Sequence, residues 1–294
     1  MRREELKYWV GMSGLVGLGP KRFKLLREYF GSVKDIWEAR EDRLVQVGLK
    51  RELVEKWGRW KQERDLDKEM AELGRREIKI ITIDDKEYPK LLKEIDTAPF
   101  VLFVKGSIKL LSQAGVTVVG TRQMSQYGRR AVERLVKGLV EARLVIVSGL
   151  ARGIDGRAHR ACLDDGGKTV AVLGHGLEKI YPPEHQSLAE EIVKAGGSLM
   201  SEYPLGYPIS RGNFPARDRL MAGLSLGTLV IEGKQKSGTK ITASWAAEYG
   251  REVWAVPGPI DSPVSQAAAD LIQEGAKLVT KVEDVLEELN LPEA

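Results

Sequence analysis

Gly120-Thr121-Arg122, with Ser125 and Gly128 just ahead of a helical stretch, has the spacing of a run that could hold an oxyanion. It brings backbone N–H groups to a helix N-terminus and adds a guanidinium that can pair with two phosphate oxygens. A second polar run, Ser148-Gly149-Leu150-Ala151-Arg152-Gly153-Ile154-Asp155, has His159 four residues further on. Its small residues allow a tight turn, and Arg152, Asp155 and His159 could share one helical face at spacings of three and four. Asp155 and His159 either touch a ligand there, or Asp155 pairs with Arg152 or caps the helix while His159 is an internal hydrogen-bonding partner. A third run, Arg211 followed by Asn213-Phe214-Pro215-Ala216-Arg217-Asp218-Arg219, puts an aromatic ring among arginines in a loop leading into a helix. A ring face for a base and cations for a backbone are what an unpaired nucleic-acid strand needs. Phe214 serves equally well as a staple fixing the loop to the core.

The fourth run is Glu232-Gly233-Lys234-Gln235-Lys236-Ser237-Gly238-Thr239-Lys240. It imitates a Walker A loop with its lysine and hydroxyl transposed, so it offers a phosphate cradle at a helix start without the groups for hydrolysis. The dinucleotide fingerprint also fails, because Gly174-His175-Gly176 has no third glycine at the required place. His159, His175 and His185 form no pair at metal-ligand spacing, and no cysteine cluster exists, so no metal is expected. Ser148 and Ser237 have no base at a known triad spacing, and no catalytic residue or cofactor is assigned. The single cysteine, Cys162, excludes an internal disulfide and reads as a small buried hydrophobe within a helix.

All four runs follow short apolar segments that must position them. VTVVG, LVIVSG, TVAVLG, SLMSEY, TLVIEG and EVWAVPG alternate with helical sequence from Gly115 onward. Strands apolar on both faces, alternating with helices, predict an α/β Rossmann-like, mostly parallel sheet covered on both sides, with ligands beyond its carboxyl edge. KLVTKVEDVLEELNL closes the chain as a short strand and a terminal helix. IKIITID and FVLFVKG, around the Tyr88-Pro89 and Ala98-Pro99 turns, read as an extension on the sheet edge. Residues 1–75 read as a small all-α domain, with Phe23, Leu26, Phe30, Val33, Ile36 and Trp37 at helical spacing. The expected division is 1–75 helical and 76–294 α/β, with 76–114 as the edge extension and 115–281 as the core. Gly17-Leu18-Gly19-Pro20 and Val47-Gly48-Leu49 either connect and cap helices or act as the phosphate-binding turns of a helix-hairpin-helix unit.

At 294 residues the chain has room for one large core and a small accessory domain. With 43% hydrophobic and 30% charged residues it should fold as an ordinary globular protein. No apolar run is long enough for a membrane span and MRREELKYWV has no signal-peptide core, so a cytoplasmic location and no membrane partner are expected. The net charge of +4, concentrated before residue 110, leaves the larger domain to meet an anion with a few placed arginines.

Taken in order, VVGTRQMSQYG, IVSGLARGIDGRAH, TVAVLGHGLEKIYPPEH, SLMSEYPLG, NFPARDRLMAGLS, TLVIEGKQKSGTKITASWAAEYGREVWAVPG and DLIQEGA resemble the signature of the DprA/Smf family of DNA-processing proteins from about Tyr88 to Ala276. The helical N-terminal segment is similar to the family's SAM-like domain. The resemblance implies an extended Rossmann fold, a homodimer, and binding and protection of single-stranded DNA in a basic pocket. It further implies loading of a RecA-type recombinase in DNA uptake, natural transformation and recombination, without catalysis. Arg122 would be the principal phosphate contact, supported by Gly120 and Thr121; Arg211 would be a second basic contact, and Phe214 a stacking ring. Ser148, Gly149, Arg152, Arg217, Arg219, Ser237 and Gly238 complete the expected DNA-binding set. The family's Arg-Asn-Arg is Arg217-Asp218-Arg219 here, and Ala267-Ala268-Ala269-Asp270 replaces its Gly-x-Asn motif. The winged-helix domain found at the C-terminus of many members is expected to be missing. Two other classes compete: a phosphoribohydrolase-like nucleotide enzyme or sensor, whose Pro-Gly-Gly-x-Gly-Thr loop is not matched at Ser237-Gly238-Thr239, and a duplex-DNA scaffold working through the N-terminal turns.

Overall fold

The structure is a computed structural model and describes residues 3–289; Met1 and Arg2, and the last residues expected in the terminal helix, lie outside the described residues. The chain begins with helices α1 (Arg3–Met12), α2 (Pro20–Phe30), α3 (Val33–Glu38), α4 (Glu41–Gln46), α5 (Arg51–Gln62) and α6 (Leu66–Arg75). Local chemistry sets several of their ends. Pro20 opens α2, where its missing N–H costs nothing. Gly31 closes α2 at φ 82°, and the Ser32 and Asp65 side chains accept from the third backbone N–H beyond them to start α3 and α6. Leu26, Ile36 and Trp57 fill the centre of this layer.

A nine-stranded sheet follows: β1 (Lys79–Thr82), β2 (Val101–Gly106), β3 (Gly115–Val119), β4 (Val145–Ser148), β5 (Thr169–Leu173), β6 (Ser198–Ser201), β7 (Gly227–Val230), β8 (Glu252–Ala255) and β9 (Lys277–Leu278). Their order is β1-β2-β6-β5-β4-β3-β7-β8-β9. From β6 to β9 every pairing is parallel, with Val116 opposite both Ile146 and Gly227; β1 and β2 add antiparallel to the β6 edge. The remaining helices are α7 (Lys90–Lys93), α8 (Gln126–Glu141), α9 (Ile154–Asp164), α10 (Gln186–Lys194), α11 (Asn213–Leu224), α12 (Gly238–Glu248), α13 (Gln266–Gln273) and α14 (Glu283–Leu286).

Alternation along β3 shows how both faces are buried. Val116 and Val118 pack with Val132 and Leu135 of α8 and with Ile154 and Ala158 of α9, whereas Val119 packs with Leu220 and Met221 of α11 and Ala243 of α12. Cys162 is fully buried among the α8–α9 residues. The N-terminal helices share a core with α10 and the β2 side of the sheet, joined by the stacked Phe23 and Phe100 rings 4.0 Å apart. Among the described residues, no helix is long and apolar enough to cross a membrane.

The strand order reverses between β3 and β7. Loops leaving these two strands run to opposite sides, and the crevice between them is the place where an open parallel sheet accepts a ligand.

Candidate nucleic-acid interface

A cavity of about 820 Å³ opens at this switch point. Its wall takes residues 119–123 from the end of β3, Ala151 and Asp155 after β4, Tyr181 after β5, Arg211 and one face of α11, and the start of α12 with Lys234 and Lys236. Of the residues singled out in the sequence, the fold brings Gly120, Thr121, Arg122, Arg211, Phe214, Arg217, Ser237 and Gly238 to this wall. Gly149 and Arg152 line a small adjoining recess with Arg122, Tyr181 and Phe214. Ser148 and Arg219 are not brought to the cavity wall. Ser148 is fully buried, its Oγ donating to Val118 O at 2.7 Å, and Arg219 pairs with Glu202 elsewhere.

The residues expected in a loop before α11 are already helical, since α11 starts at Asn213. Pro215 fits the first turn of this helix, and the Ser210 hydroxyl donates to Asn213 Oδ1 at 2.6 Å at its start. Helical geometry then puts Phe214, Asp218 and Met221 on one face toward the cavity. Phe214 lies tilted against Tyr181 with ring centroids 5.7 Å apart, and the Arg122 guanidinium carbon stands 5.9 Å from the Phe214 ring centre. Phe214 also rests on Gly174, so it is both a packed residue and part of the open wall.

Arg217 has a different role from Arg122 and Arg211, which are exposed. Only 3% exposed, it donates to Val172 O and holds its Nε 3.1 Å from Asp218 Oδ1. The guanidinium lies across Gly149, where an added Cβ would come within 2.0 Å of Nη1. Asp155, also buried, accepts from Gly149 N at 3.2 Å; Arg152 turns outward to Glu184 instead of pairing with Asp155. Burial pushes Asp155 above the usual carboxylate range and raises Asp218 to about 6, against the pull of Arg217 in both cases. His159 Nδ1 is 2.7 Å from Thr169 Oγ1, and burial lowers its pKa to about 3. It is an internal residue, and it does not reach the cavity wall.

The N-terminus of α8, which the sequence offered as a phosphate cradle, is already occupied. The Glu232 carboxylate, 2% exposed, accepts from Ser125 N at 3.0 Å and from the Ser125 hydroxyl, while Ser125 Oγ accepts from Gly128 N at 3.0 Å. An internal anion thus satisfies those donors. The GTR segment is further pinned by Thr121 N donating to Glu232 O at 2.7 Å and by Ile154 N donating to Thr121 O at 3.2 Å. The second approach requires Gly153, at φ 75°, where a Cβ would fall 2.2 Å from Thr121 O.

The start of α12 differs. Its N-cap Ser237 makes no capping hydrogen bond, its Oγ is buried without a partner, and Gly238 is exposed beside Lys236. The first N–H groups of a helix have no intrahelical acceptor, so an anion in the cavity would meet them there. Lys234 reaches across the mouth, its Nζ 3.3 Å from Gln123 Oε1. Tyr181, Lys234 and Lys236 were not among the sequence-predicted site residues. The two lysines stand in the loop after β7 and were discoverable by that position, whereas Tyr181, eight residues beyond β5, carries no local signal.

The family model for DNA recombination-mediator protein A matches residues 79–290. Protein Smf of Synechocystis is 38% identical over 294 residues, covering 98% of this chain and 74% of that protein. The X-ray structure of DNA processing protein A from Streptococcus pneumoniae superposes with a TM-score of 0.83 at 38% identity, covering 97% of this chain and 99% of that one. A structure of DNA processing protein A from Helicobacter pylori, reported for its single-stranded DNA binding mode, gives a TM-score of 0.64 at 26% identity, covering 71% of this chain and 94% of that one. The match over most of the α/β region and the shared sheet place this chain in the DNA recombination-mediator protein A family, the DprA/Smf proteins.

Proposed function

We propose that the chain binds single-stranded DNA in the switch-point cavity, protects it and passes it to a RecA-type recombinase during DNA uptake, natural transformation and recombination. The observation that carries this reading is the Phe214 ring beside the Arg122 guanidinium, facing the uncapped start of α12 in one open cavity. A base can stack on the ring while the neighbouring phosphates meet Arg122, Arg211 and the α12 N–H groups; that division of labour suits unpaired strands and is indifferent to base sequence. The Helicobacter pylori relative, studied for its binding of single-stranded DNA, supports the same assignment.

Gly120, Thr121, Arg122, Arg211, Phe214, Ser237 and Gly238 form the contact set; Arg217, Gly149 and Arg152 support it from beneath and beside. Binding proceeds without catalysis, and incubation with nucleoside monophosphates should release no free base. The chain works in the cytoplasm as a homodimer, with residues 1–75 and 76–294 as its two units. Anisotropy of a labelled poly-dT strand at two salt concentrations, with wild type beside Arg122→Ala, tests the proposal. The variant should bind at least about tenfold more weakly, with a salt slope lower by about 1. Equal wild-type affinity for strand and duplex would refute it.

A further inference from the structure

Arg219 sits about 140° round α11 from Phe214, by the 100° turn per residue of an α-helix. It therefore enters a second cavity, of about 160 Å³, instead of the first. The loop between α1 and α2, Phe100, Tyr203 and Tyr207 line this crevice, with Tyr207 packed beside Gly14 of the loop. The two tyrosine rings stack with centroids 4.5 Å apart and planes 26° from parallel. At the polar end, Arg219 Nη2 donates to Glu202 Oε2 at 2.6 Å, the side chains being 12% and 15% exposed.

This ion pair is incomplete. Arg219 Nη1 is buried with no hydrogen-bond partner, and Glu202 Oε1 accepts no hydrogen bond among the described residues. Buried donors are nearly always satisfied, so an orphan donor beside an open acceptor marks a place for a ligand. A donor next to an acceptor, in a crevice walled by rings, matches the Watson–Crick edge of an unpaired nucleobase: every base presents an acceptor beside a donor there, and a π-face to the wall. The volume fits one planar ring system and is well below that of an ordinary small-molecule pocket.

We propose that this crevice is a second base subsite, taking one unpaired base of the strand held in the first cavity; it rests on the single-stranded DNA reading. The two sites share one loop. Tyr207 bounds the crevice and Arg211 bounds the first cavity. Four residues of chain span at most about 14 Å, a distance that a strand covers in about four stacked nucleotides. The subsite also gives the N-terminal helical layer a part in strand binding, since the loop ahead of α2 closes one side of it.

Two measurements test this. With dT strands of increasing length, wild-type affinity should rise a second time once a strand reaches both sites. Tyr207→Ala should abolish that second rise, weakening the longer strands about tenfold or more while leaving the shortest unchanged, and Tyr207→Phe, which keeps the ring, should restore it. Tyr207 is only part-buried, so the substitutions spare the core. In the second measurement, a strand carrying 4-thiothymidine is photocrosslinked to the wild-type protein and digested with trypsin, which cuts after Arg211 and so separates Tyr203 and Tyr207 from Phe214. Crosslinks that fragmentation of the peptide ending at Arg211 maps to Tyr203 or Tyr207 support the subsite, since Arg211 on the same peptide belongs to the first cavity. Tyr207→Ala binding long strands like wild type, or crosslinks confined to Arg211 and other first-cavity residues, overturns the subsite and leaves the first cavity standing; a wild type that binds no strand removes both.

Discussion

Replacing Asp218 by asparagine probes the electrostatics of the main cavity at nearly constant shape. Asp218 lines the cavity, and its Oδ2 lies 3.9 Å from the point where a Cβ would stand on Gly238, the first residue of α12. A phosphate held by the α12 N–H groups would therefore sit about 7 Å from this carboxylate, where two unit charges at an effective dielectric of 20 repel by about 2.4 kcal/mol. Arg217, with Nε 3.1 Å from Oδ1, offsets part of that field. About half should remain, so Asp218→Asn is expected to tighten poly-dT binding about tenfold at pH 7.5. Protonation should have the same effect in the wild type. Asp218 has a pKa of about 6, so wild-type affinity should rise as the pH is lowered from 7.5 to 5, while the variant changes much less. Anisotropy titrations across this range, at fixed ionic strength, read both effects. A folded Asp218→Asn protein that binds no more tightly than wild type, with the same pH profile, would refute the placement of a phosphate at α12.

Phe214→Ala should weaken strand binding by about 1–3 kcal/mol, and Phe214→Tyr should retain it, because the ring face is what a base needs; equal affinity of all three in anisotropy would remove stacking from the account. Gly149→Ala must displace the Arg217 guanidinium from Val172 O, so its urea midpoint should correspond to a loss of about 2 kcal/mol or more, with weaker strand binding as the cavity floor shifts. His159 and Asp218 pull stability in opposite directions with pH. The folded-state pKa of His159, about 3, lies below its unfolded value of 6.5, so its contribution is present above 6.5 and is lost as the pH falls. The raised Asp218 pKa makes the folded state hold an extra proton between about 4 and 6, so its contribution is present below about 4 and is lost as the pH rises through 6. Urea unfolding of Asp218→Asn from pH 7 to 4.5 should therefore lose stability more steeply than wild type; parallel curves would contradict the opposition.

The parallel sheet was legible because its strands are buried on both faces and so read as unbroken apolar runs such as VTVVG and TVAVL. Much of the candidate site was legible for a related reason: ligands gather beyond strand ends, so the polar residues following each run were the ones to inspect. What stayed hidden depends on long-range contacts or on direction. Ser125 and Glu232 are 107 residues apart, and no local pattern tells that the α8 start already holds an anion. The run from Asn213 to Arg219 reads as a loop leading into a helix, whereas α11 already starts at Asn213, and that start sets the rotation that sends Asp218 to one cavity and Arg219 to another. Ser148 looked like a site residue because it ends a strand, yet a side chain at that register faces the backbone of β3.

The carboxylate that fills the start of α8 also bears on how quickly a strand can engage. Because Glu232 satisfies Ser125 and its backbone holds Thr121, the segment carrying Arg122 is shaped by the protein's own contacts before any DNA arrives. Preorganisation of this kind removes an ordering step from association, so encounter should be limited by diffusion and charge steering, with no slow rearrangement after contact. A strand can then dissociate as simply as it arrived, with no conformational step to reverse before release.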